Sequence, residues 1–175
     1  MKRLFTLSLG WAIVSTLVAQ SSPQPDARML RYPDVSDTEI TFVYAEDVWI
    51  VPKTGGVARR LTSAKGPEAH VKFSPDGKHI AFTGNYQGNL DIYTMTHQGG
   101  DLKRLTYHPL SDKVMDWHPS GERILFASSR KSPSSRFNQF YTISIDGGQA
   151  EDVPLFYAER GSYSPDGNKL AYQFL

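Results

Sequence analysis

The decapeptide Phe73-Ser-Pro-Asp-Gly-Lys-His-Ile-Ala-Phe82 recurs twice in this chain of 175 residues. The other copies are Trp117-His-Pro-Ser-Gly-Glu-Arg-Ile-Leu-Phe126 and Tyr163-Ser-Pro-Asp-Gly-Asn-Lys-Leu-Ala-Tyr172. They begin 44 and 46 residues apart, a period at which one repeat is a supersecondary unit unable to bury its own core. The sequence therefore predicts an array of repeats.

A second anchor recurs in register with the first. Asp47, Asp91 and Gln139 each open an apolar run that ends in a Gly-Gly pair. Each unit thus holds four strand-length runs, which we call a (around Phe73), b (residues 80–82), c (91–95) and d (103–106). Pro-Asp-Gly suits a tight a–b turn and Gly-Gly a c–d turn, since both need positive φ. We predict an all-β fold, a β-propeller of four-stranded antiparallel blades; a β-sandwich would not share an internal register.

The repeats divide the chain into units. Residues 29–70 form a degenerate first unit in which Tyr32-Pro33-Asp34 stands at the turn position, and the later units span 71–114, 115–161 and 162–175. The last unit ends after its first hairpin. A closed propeller has about 4–8 blades, so we predict an incomplete one of about three blades plus a hairpin. We expect a longer natural product or a truncated sequence.

The N-terminus has the pattern of a secretory signal peptide. Met1-Lys-Arg is positive, Leu4 to Val18 is mostly apolar and Ala19-Gln20 offers a small-residue exit. We predict a signal peptide at 1–19, a linker at 20–28 and an exported, periplasmic or secreted protein with no membrane span after cleavage. A membrane anchor is the alternative, but it needs about 20 apolar residues. No cysteine is present.

Motifs for chemistry are absent from the sequence. It has no Gly-x-Ser-x-Gly elbow, His-Glu-x-x-His, phosphate loop or dinucleotide fingerprint. Ser128-x-x-Lys131 lies in a polar stretch, the five histidines are scattered, and the Pro-Asp-Gly aspartates are expected to cap their own turns. We predict no catalytic residue, metal or cofactor. Without the leader the chain has 17 basic and 18 acidic residues, which disfavours nucleic acid as a partner.

The b–c connections lengthen along the chain. The b aromatic and the c aromatic are separated by seven residues in the first unit, eleven in the second and fifteen in the third. In a propeller these loops share one face with the d–a connections, where insertions build binding surfaces. Arg130, Lys131 and Arg136 in the longest loop are therefore candidates for binding an acidic group such as a peptide carboxylate. The alternative is a merely solvated loop.

Several segments resemble a known family. They include Arg31-Tyr-Pro-Asp34, Gly56-Val-Ala-Arg-Arg-Leu-Thr62, Lys103-Arg-Leu-Thr-Tyr-His-Pro109, Phe126-Ala-Ser-Ser-Arg130, Arg136-Phe-Asn138 and Gly161-Ser-Tyr-Ser-Pro-Asp-Gly167. Over residues 29–175 the chain resembles the N-terminal six-bladed propeller of tricorn protease and its bacterial homologues. The resemblance implies a serine peptidase of the carboxyl-terminal-processing class, with a second propeller, a PDZ domain and a catalytic core. None of the family's catalytic positions falls within these 175 residues.

The resemblance implies a propeller that gates peptide access or product exit. Its partners would be the remaining blades, the PDZ and peptidase domains of the parent chain, peptides and further copies of itself. The Pro-Asp-Gly repeats also resemble TolB, which would make the chain a non-enzymatic periplasmic protein-binding propeller. A propeller attached to an amidohydrolase is a third alternative.

Overall fold

Fourteen antiparallel β-strands make up the described part of the chain, residues 29–133 and 136–174 of this computed structural model. The first sheet contains β1 (Arg31–Val35), β2 (Glu39–Tyr44), β3 (Asp47–Pro52) and β4 (Arg59–Arg60). The second contains β5 (Glu68–Phe73), β6 (His79–Gly84), β7 (Asp91–Thr96) and β8 (Lys103–Arg104). The third contains β9 (Asp112–Trp117), β10 (Arg123–Ser128), β11 (Gln139–Ser144) and β12 (Glu151–Asp152). A hairpin of β13 (Arg160–Tyr163) and β14 (Leu170–Gln173) follows.

Each four-stranded sheet pairs its strands in chain order, as a propeller blade does. The repeat register is confirmed, because Phe42 pairs with Trp49, Phe82 with Tyr93 and Phe126 with Tyr141 across the second and third strands. The first strands of the later blades begin at Glu68, Asp112 and Arg160. These starts lie two or three residues before the repeat boundaries that the sequence predicts at 71, 115 and 162. The fourth strands contain only two residues, fewer than the d runs suggested.

The turn chemistry is also as predicted. Gly77 has φ 69° and Gly99 has φ 85°, which place both in the left-handed region that glycine tolerates. The Asp76 carboxylate accepts hydrogen bonds from the Ser74 hydroxyl at 2.7 Å and from the Lys78 amide at 3.1 Å. These bonds hold the pKa of Asp76 below its ordinary value. The aspartate therefore caps its own turn.

The first blade departs from the prediction. Tyr32-Pro33-Asp34 lies inside strand β1, not in a turn, so that assignment was wrong. The hairpin turns at Ser36, whose amide bonds to the Glu39 carbonyl at 2.9 Å. This turn is shorter than the Pro-Asp-Gly turns, which shifts the alignment. The Asp34 carboxylate instead accepts a hydrogen bond from the backbone amide of Phe73, in the second blade, at 2.8 Å.

Apolar faces of neighbouring blades form the core. Side chains of the second and third strands alternate, so that Ile80 and Phe82 face the first blade while Ala81 and Ile92 face the third. A third cluster, which includes Leu125 and Phe140, lies between the third blade and the final hairpin. Burial of such side chains contributes about 1.5–3 kcal/mol each, so each blade is stabilised mainly by its neighbours.

Main-chain hydrogen bonds also join the blades at equivalent positions. The amide of a residue at the start of each new first strand, or two residues before it, bonds to the carbonyl that precedes the third strand of the previous blade. The pairs are Glu68 to Glu46 at 3.0 Å, Asp112 to Leu90 at 2.8 Å and Ala158 to Asn138 at 3.0 Å. The first strands therefore line up side by side around a common axis.

Two cavities lie along this axis, one at each end of the first strands. We call the end that carries the connections between second and third strands the loop end, and the opposite end the turn end. The loop-end cavity has a volume of about 460 Å³ and the turn-end cavity about 650 Å³. Among the described residues there is no helix long and apolar enough to cross a bilayer. The signal peptide expected at 1–19 and the linker at 20–28 lie outside the described residues.

Candidate functional site

The loop end carries the features that differ most between blades. Two residues connect β2 to β3, six connect β6 to β7 and ten connect β10 to β11, which confirms the lengthening seen in the sequence. The ten-residue connection, 129–138, contains the predicted binding residues Arg130, Lys131 and Arg136. Loops on a rigid scaffold are common places for binding sites.

Arg130 points inward. Its guanidinium lies 2.6 Å from the carboxylate of Asp112, and its side chain is only 14% exposed. It also lies 4.9 Å from the ring centres of Phe126 and Tyr141, a cation–π arrangement. Arg130 thus fixes the start of β9 to its own blade, a role that the sequence analysis missed.

The second blade uses a tyrosine at the corresponding place. The Tyr86 hydroxyl donates a hydrogen bond to the carboxylate of Glu68, which is 3% exposed. The Tyr86 ring packs on Tyr93, with ring centres 4.7 Å apart. Burial raises the pKa of Glu68, and burial together with the hydrogen bond to Glu68 raises the pKa of Tyr86. Both groups therefore hold their protons more tightly than in water.

Lys131 and Arg136 differ from Arg130. Lys131 forms an ion pair with Asp152 on β12, and both side chains are more than half exposed. Arg136 is exposed as well. An exposed pair of this kind contributes little to stability. The Ser128 hydroxyl accepts a hydrogen bond from the backbone amide of Arg130 at 3.3 Å, whereas Lys131 pairs with Asp152. The two residues of the Ser-x-x-Lys match therefore have different partners.

A buried cluster at the loop end was present in the sequence but went unrecognised. The Arg104 guanidinium lies 2.7 Å from the fully buried carboxylate of Asp91. The Thr106 hydroxyl accepts a hydrogen bond from the backbone amide of Ile92 at 3.0 Å. Asp47, Arg60 and Thr62 repeat the pattern in the first blade. The Arg-Leu-Thr motif was the available signal. The third blade has Asp152 and Pro154 at the arginine and threonine positions.

The axial cavity at the loop end is lined by all four first strands. Lys113 and Arg160 contribute its positive charge. Burial, helped by the charges of Lys113 and Arg160, lowers the pKa of His70 to about 4. His70 is therefore a neutral imidazole near pH 7. At the turn end the cavity is walled by Phe73, Trp117 and Tyr163, the residues that open the decapeptides.

No cluster of histidine, cysteine and carboxylate side chains suited to a metal ion occurs within 29–133 and 136–174. Two carboxylates there, Asp91 and Asp112, are each engaged by an arginine.

The model of the tricorn protease N-terminal beta propeller domain matches residues 27–175. Tricorn protease homolog 1 of Streptomyces coelicolor is 32% identical over 126 residues, which cover 71% of this chain and 12% of that protein. A putative tricorn-like protease N-terminal subunit of Sulfurisphaera tokodaii is 30% identical over 129 residues, covering 71% of this chain and 65% of that one. The chain thus spans less than two thirds of either relative.

A solved structure agrees with these relatives. Putative TolB from Agrobacterium tumefaciens superimposes with a TM-score of 0.68 at 26% identity, over 77% of this chain and 50% of that one. The propeller blades, their register and the family match over nearly all described residues lead to one conclusion. The chain belongs to the tricorn protease N-terminal beta propeller family.

Proposed function

We propose that this chain is the N-terminal propeller segment of an exported tricorn-like serine peptidase and that it controls the passage of peptides to or from the catalytic core. The observation that carries the proposal is the family match over residues 27–175 together with cavities along the blade axis at both ends. The leader pattern of residues 1–19 supports export. The parent chain supplies the remaining blades, a PDZ domain and the serine peptidase domain.

A covalent block of the axis tests this function. The chain contains no cysteine, so a single introduced thiol is unique within it. Met115→Cys places a thiol in the loop-end cavity, and Val57→Cys places one at a position that is 92% exposed outside both axial cavities. Each variant of the full-length protein is labelled with a bulky maleimide, and the unsubstituted protein is treated in the same way as the control for thiols elsewhere in the parent chain. Cleavage of a long peptide is then compared with hydrolysis of a short chromogenic substrate.

We expect the label at position 115 to slow cleavage of the long peptide much more than hydrolysis of the short substrate. The label at position 57 should change neither rate. An equal effect on both substrates, or none at position 115, would reject gating by this axis.

A second candidate function is a TolB-like binding propeller without peptidase activity, favoured by the superposition on putative TolB. The sequence of the parent gene beyond Leu175 separates the candidates. A PDZ segment and a serine peptidase core support the first function, whereas propeller repeats alone support the second. A histidine-rich metal centre would instead indicate an amidohydrolase.

A further inference from the structure

The loop-end cavity gathers residues from four successive blades into one half-enclosed space. Tyr32, His70, Lys113 and Arg160 come from β1, β5, β9 and β13 respectively, and all line the same cavity of about 460 Å³. This volume falls in the range of about 300–1,000 Å³ typical of ligand sites.

The charges in this cavity are unequal. The Lys72 ammonium lies 3.1 Å from the Asp34 carboxylate, and the Glu159 carboxylate accepts a hydrogen bond from the Asn138 amide at 2.8 Å. Lys113 and Arg160 take part in none of the ion pairs found among the described residues. Two cationic groups therefore line the cavity outside these ion pairs, together with one carboxylate, that of Glu159, and the cations remain in excess.

The effect of these two cations is felt by His70. Their positive charges add to burial in disfavouring a proton on its imidazole. The positive field that repels a proton attracts an anion, and a partly enclosed cleft concentrates that field. The neutral imidazole also remains available for a hydrogen bond to the ligand. A metal cation, by contrast, would be repelled by Lys113 and Arg160.

We propose that the loop-end cavity is a carboxylate-binding site in which Lys113 and Arg160 hold the carboxylate of a peptide. Val71, Val114 and Met115 supply an apolar wall for the neighbouring part of the ligand. A guanidinium suits a carboxylate because it donates two parallel hydrogen bonds. That the ligand is a peptide rests on the proposed function, whereas the preference for an anion rests on the cavity alone.

The test measures binding to the full-length protein by fluorescence anisotropy, without reference to turnover. Three labelled hexapeptides of otherwise equal sequence are used. One has a free C-terminal carboxylate and no acidic side chain, one has an amidated C-terminus with one glutamate, and one is amidated and uncharged. The first two separate a terminal carboxylate from a side-chain carboxylate.

Lys113→Met and Arg160→Met are compared with Lys65→Met, which removes an exposed lysine that does not line this cavity. Each cavity variant should weaken binding of a carboxylate peptide by about tenfold or more, the loss expected for one charge-assisted contact. The uncharged peptide should bind weakly and equally to all variants. Lys113→Arg keeps the charge and should retain binding, which separates a lost contact from a lost fold.

Equal affinities for the charged and uncharged peptides would overturn the proposal. So would an equal loss of affinity in Lys65→Met, since that would indicate general charge attraction. The protein could bind carboxylate peptides through Lys113 and Arg160 while the maleimide label at position 115 leaves both cleavage rates unchanged. That result would support this binding site and reject the gating function. The two failures are therefore distinguishable.

Discussion

Tyr86 and Arg130 occupy the same position in successive blades, two residues beyond the end of the second strand, and each holds the acidic residue that begins the first strand of its own blade. Tyr86 donates to Glu68, and Arg130 pairs with Asp112. Both also pack on the stacked aromatic pair of their blade, formed by the second and third strands. One structural role is thus filled by a neutral phenol in one blade and by a cation in the next.

This equivalence predicts that the pair of one blade can be transplanted into the other. Arg130→Ala alone should lower the free energy of unfolding by about 3–5 kcal/mol, because it leaves the buried Asp112 carboxylate uncompensated. Arg130→Tyr combined with Asp112→Glu recreates the second-blade pair and should recover a large part of that loss. Urea denaturation monitored by tryptophan fluorescence measures both changes.

The matched control for the transplant is Asp112→Glu alone, which adds a methylene beside the unchanged Arg130. It should be less stable than the double variant. A double variant no more stable than Arg130→Ala would mean that the two positions are equivalent in geometry only.

The buried Glu68 carboxyl should make stability depend on pH. Burial raises its pKa above the ordinary value of 4.5. The folded protein therefore binds a proton more tightly than the unfolded chain, and this carboxyl gives its stabilising contribution at low pH, losing it as pH rises from 4.5 through the raised pKa. Glu68→Gln removes that contribution. The difference in unfolding free energy between wild type and Glu68→Gln should thus shift in favour of wild type as pH falls towards 4.5.

The comparison with Glu68→Gln also separates this carboxyl from His70. The lowered pKa of His70 acts in the opposite sense, because its stabilising contribution is present above pH 6.5 and is lost as pH falls towards about 4. Chemical denaturation at pH 4.5, 5.5, 6.5 and 7.5 gives the difference for the pair of proteins. A difference in unfolding free energy that stays constant over this pH range would contradict a raised pKa of Glu68 in the folded protein.

Gly161 should not tolerate a side chain. A Cβ at this position would lie 2.5 Å from Cε2 and 2.8 Å from Cζ of Phe140, which is fully buried. Gly161→Ala is therefore expected to cost about 1–3 kcal/mol, the usual range for overpacking. Thermal unfolding followed by circular dichroism measures the loss.

The second-site change Phe140→Leu tests the cause, since leucine lacks the ring edge that meets the new methyl group. Phe140→Leu should lower the stability less in the Gly161→Ala variant than in the wild-type protein. Additive losses would instead place the strain in the backbone of β13.

The two-residue connection between β2 and β3 should be improved by glycine. Ala45 has φ 49° and Glu46 has φ 70°, so both residues of this tight turn are left-handed without being glycine. An L-residue in that region costs about 1–2 kcal/mol. Glu46→Gly should raise the unfolding free energy by about 1 kcal/mol, whereas the matched change Glu122→Gly, at an ordinary φ, should not.

The repeats made most of the fold predictable, because the turn residues and the aromatic positions keep a constant offset. Phe82 and Tyr93 were placed on adjacent strands by that offset alone, and they pair directly. The first blade was misread at Tyr32-Pro33-Asp34, since its shorter turn at Ser36 lacks the glycine that marks the others. A proline followed by an aspartate is compatible with a strand edge as well as with a turn.

The candidate site was harder to predict than the fold. A cluster of cations in a polar loop says nothing about the direction of each side chain. Arg130 turns inward because a buried carboxylate and two aromatic rings lie beneath it, and Asp112 lies 18 residues earlier in the chain. Lys113 and Arg160 line the same cavity only because two first strands lie side by side, a relationship that has no short-range pattern in the sequence.

Each blade is joined to the preceding one by a hydrogen bond between peptide groups. These bonds run from Glu68 to Glu46, from Asp112 to Leu90 and from Ala158 to Asn138. The three donor residues differ from one another in type, and so do the three acceptor residues, yet the bond persists, because an amide and a carbonyl are present whatever the side chain. A duplicated blade would carry both halves of this linkage with it from the moment of duplication. Descendant copies would then be free to diverge in their side chains while remaining attached, which gives a route by which arrays of this kind lengthen during evolution.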